Sequence, residues 1–378
     1  MENPTSTLPD LRAEGDPMAD RVVGELLDSG ELDHANQVLH GLRHNDQLVP
    51  EDLPDVLRTF LLETHPLPAW VDHDRVARVH AFFRHDGVHA VSALSLAGLV
   101  GCYAVPVGAK LLRTTHRLDH PHRRLSETTQ FMLHLMAEDA LGPHGDLIPT
   151  IQKVRLIHAA VRQLVLRDGH WDVEQDGVPI CQDDLLGATL IFSVTVLDGM
   201  DRMGVHCPPD VAEDYYYVWR VVGVLLGLRA DVIPETLAEG RQLWQTMALR
   251  YQGPSSDGVE LTGALLDFYH DLTPLGARGA VPAMLRRMIG PQVADWMAVP
   301  AGHWEKAIAH AVKVEERLHD AEEHHRLARR VLDQVGRVLL KAEARRITHG
   351  QSTEFDIPAT LCPVTTPDLP PARDGHTG

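Results

Sequence analysis

The chain has 378 residues, 44% of them apolar, which is enough for a large core and sets it apart from disordered chains. A formal charge of -18 makes nucleic acid and anionic membrane surfaces poor partners. The four cysteines, Cys102, Cys181, Cys207 and Cys362, are widely spaced and form no C-x-x-C pair, which argues against a disulfide framework and a thiolate metal site.

Residues 1–17 are polar, carry Pro4, Pro9 and Pro17, and are expected to be disordered. They contain neither a basic-then-apolar leader nor a twin arginine, so a cytoplasmic protein is expected. Helical patterning begins near Met18, and Gly30 divides residues 19–42 into one or two helices. Residues 50–54, with two prolines around an acidic pair, read as the start of a helix. His65 to Asp72 is a proline-fixed extended loop, and Asp72 is a candidate N-cap for a helix carrying Val76, Val79, Phe82 and Phe83.

Residues 90–112 form one long, mostly apolar run. Its length suits a membrane span, but Ser92, Ser95, Gly98, Gly101, Pro106, Gly108 and Lys110 suit a packed core helix, which is the preferred reading. His120-Pro121 breaks the chain, and a helix is expected from about His122 to Met136. Residues 143–149 read as a loop. Beyond it, Val154, His158, Val161 and Val165 fall at i, i+4, i+7 and i+11, a single apolar helical stripe that contains a histidine. Lys153 and Arg167 lie outside that stripe and Arg162 at its edge. An imidazole facing a core satisfies its two ring nitrogens by hydrogen bonds, the ordinary case, or gives one to a metal.

Asp168 to Asp172 ends this helix, Gly177-Val-Pro179 is a turn, and residues 185–196 are strongly apolar. Asp198-Gly199 and residues 202–209 read as a connection, Tyr215 to Leu228 as a helix, and Ile233-Pro234 as the opening of another that runs past Trp244. Gly253 to Gly258 is the clearest internal loop. Residues 305–348 form a long charged helical stretch, and the proline-bearing tail after Phe355 is expected to be irregular. Strand signals are nearly absent, so the expected fold is all-α. The expected organisation is a disordered 1–17, a single helical domain over 18–354, and a tail over 355–378.

The 122–136 helix has a second notable face. Arg124, Glu127, Thr128 and Phe131 are spaced i, i+3, i+4 and i+7 and share one side. A cation, a carboxylate and a hydroxyl beside an aromatic ring form either a solvated edge with an Arg124–Glu127 pair, or the polar wall of a pocket.

From Trp70 to about Trp244 the chain resembles the rubber oxygenase (latex clearing protein) family, which includes the oxygenase that cleaves the mycophenolic acid side chain. The matching pieces come in the family's order. They are LPAWVD (67–72), the apolar 90–112 segment, RRLSETTQF (123–131), KVRLIHAAVR (153–162), GVPICQD (177–183), the segment from Phe192 to Gly199, and WRVVG (219–223). The resemblance implies a globin-like helical core with additional helices, binding b-type haem, with His158 as the axial iron ligand. It also implies that Arg124 and Thr128 lie on the opposite, distal side. Rubber oxygenases carry a lysine three residues after that arginine, able to ligate the iron; this chain has Glu127 there. The substitution puts rubber cleavage in doubt, but not the haem.

The function so implied is a haem-dependent oxygenase or oxidase that uses dioxygen on an apolar isoprenoid, terpenoid or aromatic small molecule. Arg124, Glu127 and Thr128 are then the catalytic candidates, and His158, Arg124 and Thr128 contact the cofactor. The expected partners are substrate and dioxygen, with no nucleic acid and no membrane span. The alternatives are a haem sensor or carrier without turnover, a non-haem metal protein using His319 and Glu323 at i, i+4, and a purely structural helical protein.

Overall fold

A computed structural model describes residues 11–115, 121–273, 278–306, 308 and 356–360, with the side chains of 121–127 and 272 left outside that description. Every regular element among them is helical and none is a strand, in agreement with the all-α expectation. The charged stretch after residue 308, including His319 and Glu323, lies outside the described residues.

Local chemistry sets most of the boundaries. Asp16 caps Pro17–Ser29, with a proline at the first helical position, and Gly30 closes that helix in the left-handed conformation (φ 75°). Leu32–Gly41 follows as a separate helix. Asp72 accepts hydrogen bonds from the Asp74 and Arg75 amides and starts His73–Ala93 as expected. Thr236 and Glu239 form a capping box at the head of Leu237–Tyr251, and Ser255 caps Ser256–Leu272.

Several expectations need correction: the loop expected at 143–149 already becomes helix at Leu147, and the helix expected to open at Ile233-Pro234 starts at Leu237. Residues 11–17 are ordered, because Leu11–Ala13 is a 3-10 turn with Leu11 buried and Asp16 is engaged as a cap. The 90–112 run is not one helix. It passes from His73–Ala93 through a π-helical segment, Leu94–Gly98, into Leu99–Tyr103, and then turns by 96° into Pro106–Thr114. Pro106 has no amide hydrogen and takes Val105 out of the helical region, so the break falls there. Asp198 and Gly199 lie inside Val196–Arg202 rather than in a connection. The expected loop ending at Gly258 is shorter, because Ser255 already caps a helix. Among the described residues no single helix is long and apolar enough to cross a membrane.

Leu147–Asp168 is the axis of the packing. Its Leu156, Ala159 and Ala160 belong to one apolar cluster with Val22, Val23 and Leu26 of Pro17–Ser29 and with Leu57 and Phe60 of Asp55–Glu63. Its first turns, at Leu147, Ile148 and Ile151, join the larger cluster built on His73–Tyr103 and Pro209–Leu225. Arg75 and Arg78 both bond Asp214, at 2.5 and 2.6 Å, and clamp those two latter helices together.

Two π-helical segments, Leu94–Gly98 and Ile191–Thr195, pack against each other near the centre. The π turn leaves carbonyls out of the regular ladder. In each segment a fully buried tyrosine donates to one of them: Tyr269 to the Ser95 carbonyl and Tyr215 to the Phe192 carbonyl, both at 3.1 Å.

Candidate functional site

His158 sits on the wall of a cavity of about 510 Å3. The apolar stripe that singled it out in sequence is the wall itself, since Val154, Ile157 and Val161 line the same space. Phe131, Phe192, Trp219 and Trp244 add aromatic surface, and Phe192 and Trp219 meet with ring centroids 4.7 Å apart. Leu111, Leu112, Ile191 and Met247 complete an apolar enclosure of the size usual for small-molecule sites.

Thr128 also lines this cavity, as does Phe131 three residues on. The polar-wall reading of that helix therefore holds for Thr128. The side chains of Arg124 and Glu127 lie outside the described residues.

The outer face of the His158 helix is fixed by charge. Arg155 bonds Asp16, with one of its two contacts at 2.9 Å, and Arg162 pairs with Asp20. Burial pushes the Asp20 carboxyl up from its ordinary range, against the pull of Arg162. Arg162 is itself buried, and it donates to the Pro179 carbonyl at 2.9 Å and the Ile180 carbonyl at 2.7 Å. One guanidinium thus joins three things: the first helix, the His158 helix and the turn that carries Ile180 to the cavity.

That turn is constrained. Gly177 has φ 76° and ψ -177°, and a Cβ there would stand 2.9 Å from the Arg12 carbonyl oxygen, so only glycine serves. Ile180 has φ 52°, a strained conformation for a β-branched residue, and it lines the cavity. The two sequence blocks at 153–162 and 177–183 are in physical contact through Arg162.

One end of the cavity is polar. Asp183, Asp184, Tyr251 and Gln252 lie on its wall. Burial pushes the Asp184 carboxyl up from its ordinary range, while hydrogen bonds from Cys181 and the charge of Arg12 oppose the shift. Burial likewise raises the Tyr251 phenol, with further contributions from Asp183. No described residue on the wall is a lysine or arginine.

Sequence reasoning missed two parts of the wall. Trp244, Met247 and Tyr251 line it at i, i+3 and i+7 of Leu237–Tyr251, a stripe that helical periodicity could have found. Asp356 and Pro358 also line it, from a short irregular segment. That segment is tied down by Asn36, whose side-chain amide donates to the Ile357 carbonyl at 3.0 Å and accepts from the Ile357 amide at 2.9 Å. His40 and Asp356 meet at 2.6 Å beside it. No periodicity marks such a segment in sequence.

A mainly helical enclosure with one imidazole among its described lining residues has the size and apolar character of a small-molecule pocket. Residues 84–357 match the family described as ER-bound oxygenase mpaB/B'/Rubber oxygenase, catalytic domain, and the chain belongs to that family. It is therefore an oxygenase. It is 27% identical over 290 residues to a rubber oxygenase of Streptomyces sp. (strain K30), covering 75% of this chain and 70% of that protein. Its fold superposes on the structure of latex clearing protein LCP in the closed state with a TM-score of 0.79 and 26% identity, over 88% of this chain and 92% of the other.

Proposed function

We propose that the chain is a b-type haem-dependent oxygenase or oxidase that acts with dioxygen on an apolar small molecule of isoprenoid, terpenoid or aromatic character. The observation that carries this reading is the setting of His158, an imidazole on the wall of an aromatic-lined cavity of about 510 Å3. The donor set fits haem. Among the described residues no three His, Cys, Asp or Glu side chains gather to hold a bare metal ion. A tetrapyrrole brings four iron ligands of its own and asks the protein for little more than one axial donor.

In this role His158 holds the iron from its helix, and the outer-face pairs of Arg155 and Arg162 keep that helix from shifting. The haem, when bound, supplies the redox chemistry toward dioxygen that side chains lack. Thr128 orients water or substrate through its hydroxyl. Arg124, four residues before it, donates hydrogen bonds to negative charge that develops on oxygen. Glu127 holds or delivers a proton where rubber oxygenases have a lysine. Phe131, Phe192 and Trp219 keep the site dry, which strengthens every charge interaction inside it.

The test is a UV–visible spectrum and pyridine haemochrome assay on the purified protein and on His158→Ala. The expected result is one haem per wild-type chain and loss of most of it in the variant. A variant with wild-type haem content and Soret band removes His158 as the ligand. A wild-type protein that never takes up haem removes the cofactor.

A further inference from the structure

Asp183, Tyr251 and Gln252 interrupt the apolar wall of the cavity at one end. Other polar groups on the wall bond back to nearby backbone. Thr115 donates to the Leu112 carbonyl at 3.1 Å, and Thr189 to the Leu185 carbonyl at 2.8 Å. Asp184 accepts from the Cys181 amide at 3.1 Å and closes the capping box that starts Gln182–Leu190.

Asp183 reaches to another helix. It is 8% exposed, and the phenol of Tyr251, the last residue of Leu237–Tyr251, is hydrogen-bonded to its carboxylate. A carboxylate accepts about four hydrogen bonds, so one phenol does not saturate it. A charge held this far from water is costly unless hydrogen bonds surround it, and a hydrocarbon ligand supplies none. Gln252 follows on the same wall. One of its amide hydrogens makes a long contact to the Gly101 carbonyl, at 3.4 Å, and the amide carries a second. Arg12 and Arg250 approach the Tyr251 ring, 5.4 and 5.1 Å from its centroid, but neither lines the cavity. A ligand at this end therefore meets a charged acceptor and a neutral donor, with no cation among the described lining residues.

We propose that this end of the cavity is a subsite for a hydroxyl group, so that the preferred ligand is an apolar alcohol rather than a hydrocarbon, an ether or a carboxylic acid. This rests on the reading that the cavity takes an apolar small molecule, and names the class of that molecule. The ligand O–H donates to the Asp183 carboxylate, and its oxygen accepts from the Gln252 amide. Tyr251 is a positioning residue, since its phenol holds that carboxylate in place. An ether has no hydrogen to donate. An ionised acid sets a second anion against Asp183 with no counter-ion on the described wall.

The experiment titrates farnesol, farnesyl methyl ether and ionised farnesoic acid into wild type, Asp183→Asn, Tyr251→Phe and Gln252→Leu by calorimetry, with Tm and haem content measured alongside. Wild type is expected to bind the alcohol about 30-fold more tightly than the ether, and the acid more weakly than either. Asp183→Asn should bring alcohol and ether within about threefold of each other and strengthen binding of the acid. Tyr251→Phe and Gln252→Leu should each narrow the alcohol-to-ether ratio to about tenfold. Loosened packing alone would weaken both ligands together and leave that ratio where it was.

Equal wild-type affinity for alcohol and ether overturns the proposal without recourse to any variant. So does a folded Asp183→Asn protein that keeps the wild-type ratio. If Asp183→Asn does not fold, the other two variants carry the test, and an unaltered ratio in both overturns the proposal. Haem loss in Asp183→Asn with the ratio unchanged assigns this end to the cofactor instead. A wild-type protein that binds none of the three overturns the apolar-ligand reading and this proposal together, whereas equal binding of all three overturns this proposal alone.

Discussion

The two faces of the Leu147–Asp168 helix are built on opposite plans. On the outer face Leu156, Ala159 and Ala160 are fully buried against the first helix, and Arg155 and Arg162 are locked to Asp16 and Asp20. On the inner face Val154, Ile157, His158 and Val161 border open volume. The contrast shows how a helix can present an imidazole to a cavity without wandering. The ion pairs that fix it lie on the outer side, while Ile157 and Val161 on the inner side pack with Leu111, Val165 and Trp171 and border the cavity.

Removing Arg162 breaks the comparison most severely. Arg162→Ala strands Asp20 and frees the carbonyls of Pro179 and Ile180 at once. The expected loss of stability is about 3 kcal/mol, read from chemical denaturation, together with weakened ligand binding, because the strained Ile180 turn loses its brace. An Arg162→Ala protein with wild-type stability would show that the outer face is not what holds the helix.

A paired truncation sharpens the contrast. Leu156→Ala opens a void in a packed cluster and should cost about 3 kcal/mol. Ile157→Ala, one residue on, enlarges an existing cavity and should cost only about 1 kcal/mol while altering ligand affinity. Equal costs at the two positions would mean that the faces are packed alike.

On the haem reading proposed above, Arg124→Ala should keep haem and lose about 10²-fold in turnover. Glu127→Gln should keep haem and cyanide binding but lose the acid limb of the pH–activity profile. Lost haem with unchanged turnover per haem would instead make Arg124 a structural partner of the cofactor.

The smallest expected effect lies away from both faces. Burial by itself would raise the Asp214 carboxyl, but the hydrogen bonds and charges of Arg78 and Arg75 outweigh it and hold it below its ordinary value. The ionised form therefore stabilises the fold fully above the ordinary carboxylate range. As pH falls below about 4 and passes through the lowered native value, Asp214 takes up a proton and that contribution is lost. Asp214→Asn should flatten the decline of Tm in this acid window and leave the helix axis and its cavity unchanged. An acid limb of Tm identical to wild type would remove Asp214 from the account.

The sequence was most legible where one helix face has one job. The 154–165 stripe located the wall of the cavity because apolar residues at helical spacing face a common space, whether that space is core or pocket. Thr128 and Phe131 were legible for the same reason. Arg162 was placed only at the edge of the stripe. Its work is done by three partners scattered from residue 20 to residue 180, and periodicity within one helix does not register such partners. The break at Pro106 was hidden inside an unbroken apolar run, because composition averages over a residue whose effect is local. Asp356 and Pro358 reach the cavity through a side-chain-to-backbone bridge, which leaves no pattern in the residues around them.

That bridge spans 321 positions, from Asn36 to Ile357. On the ribosome the His158 helix and most of the enclosure emerge long before residue 357 does. The part of the cavity wall at Asp356 and Pro358 is therefore among the last to be synthesised. Contacts of such sequence separation form late and slowly.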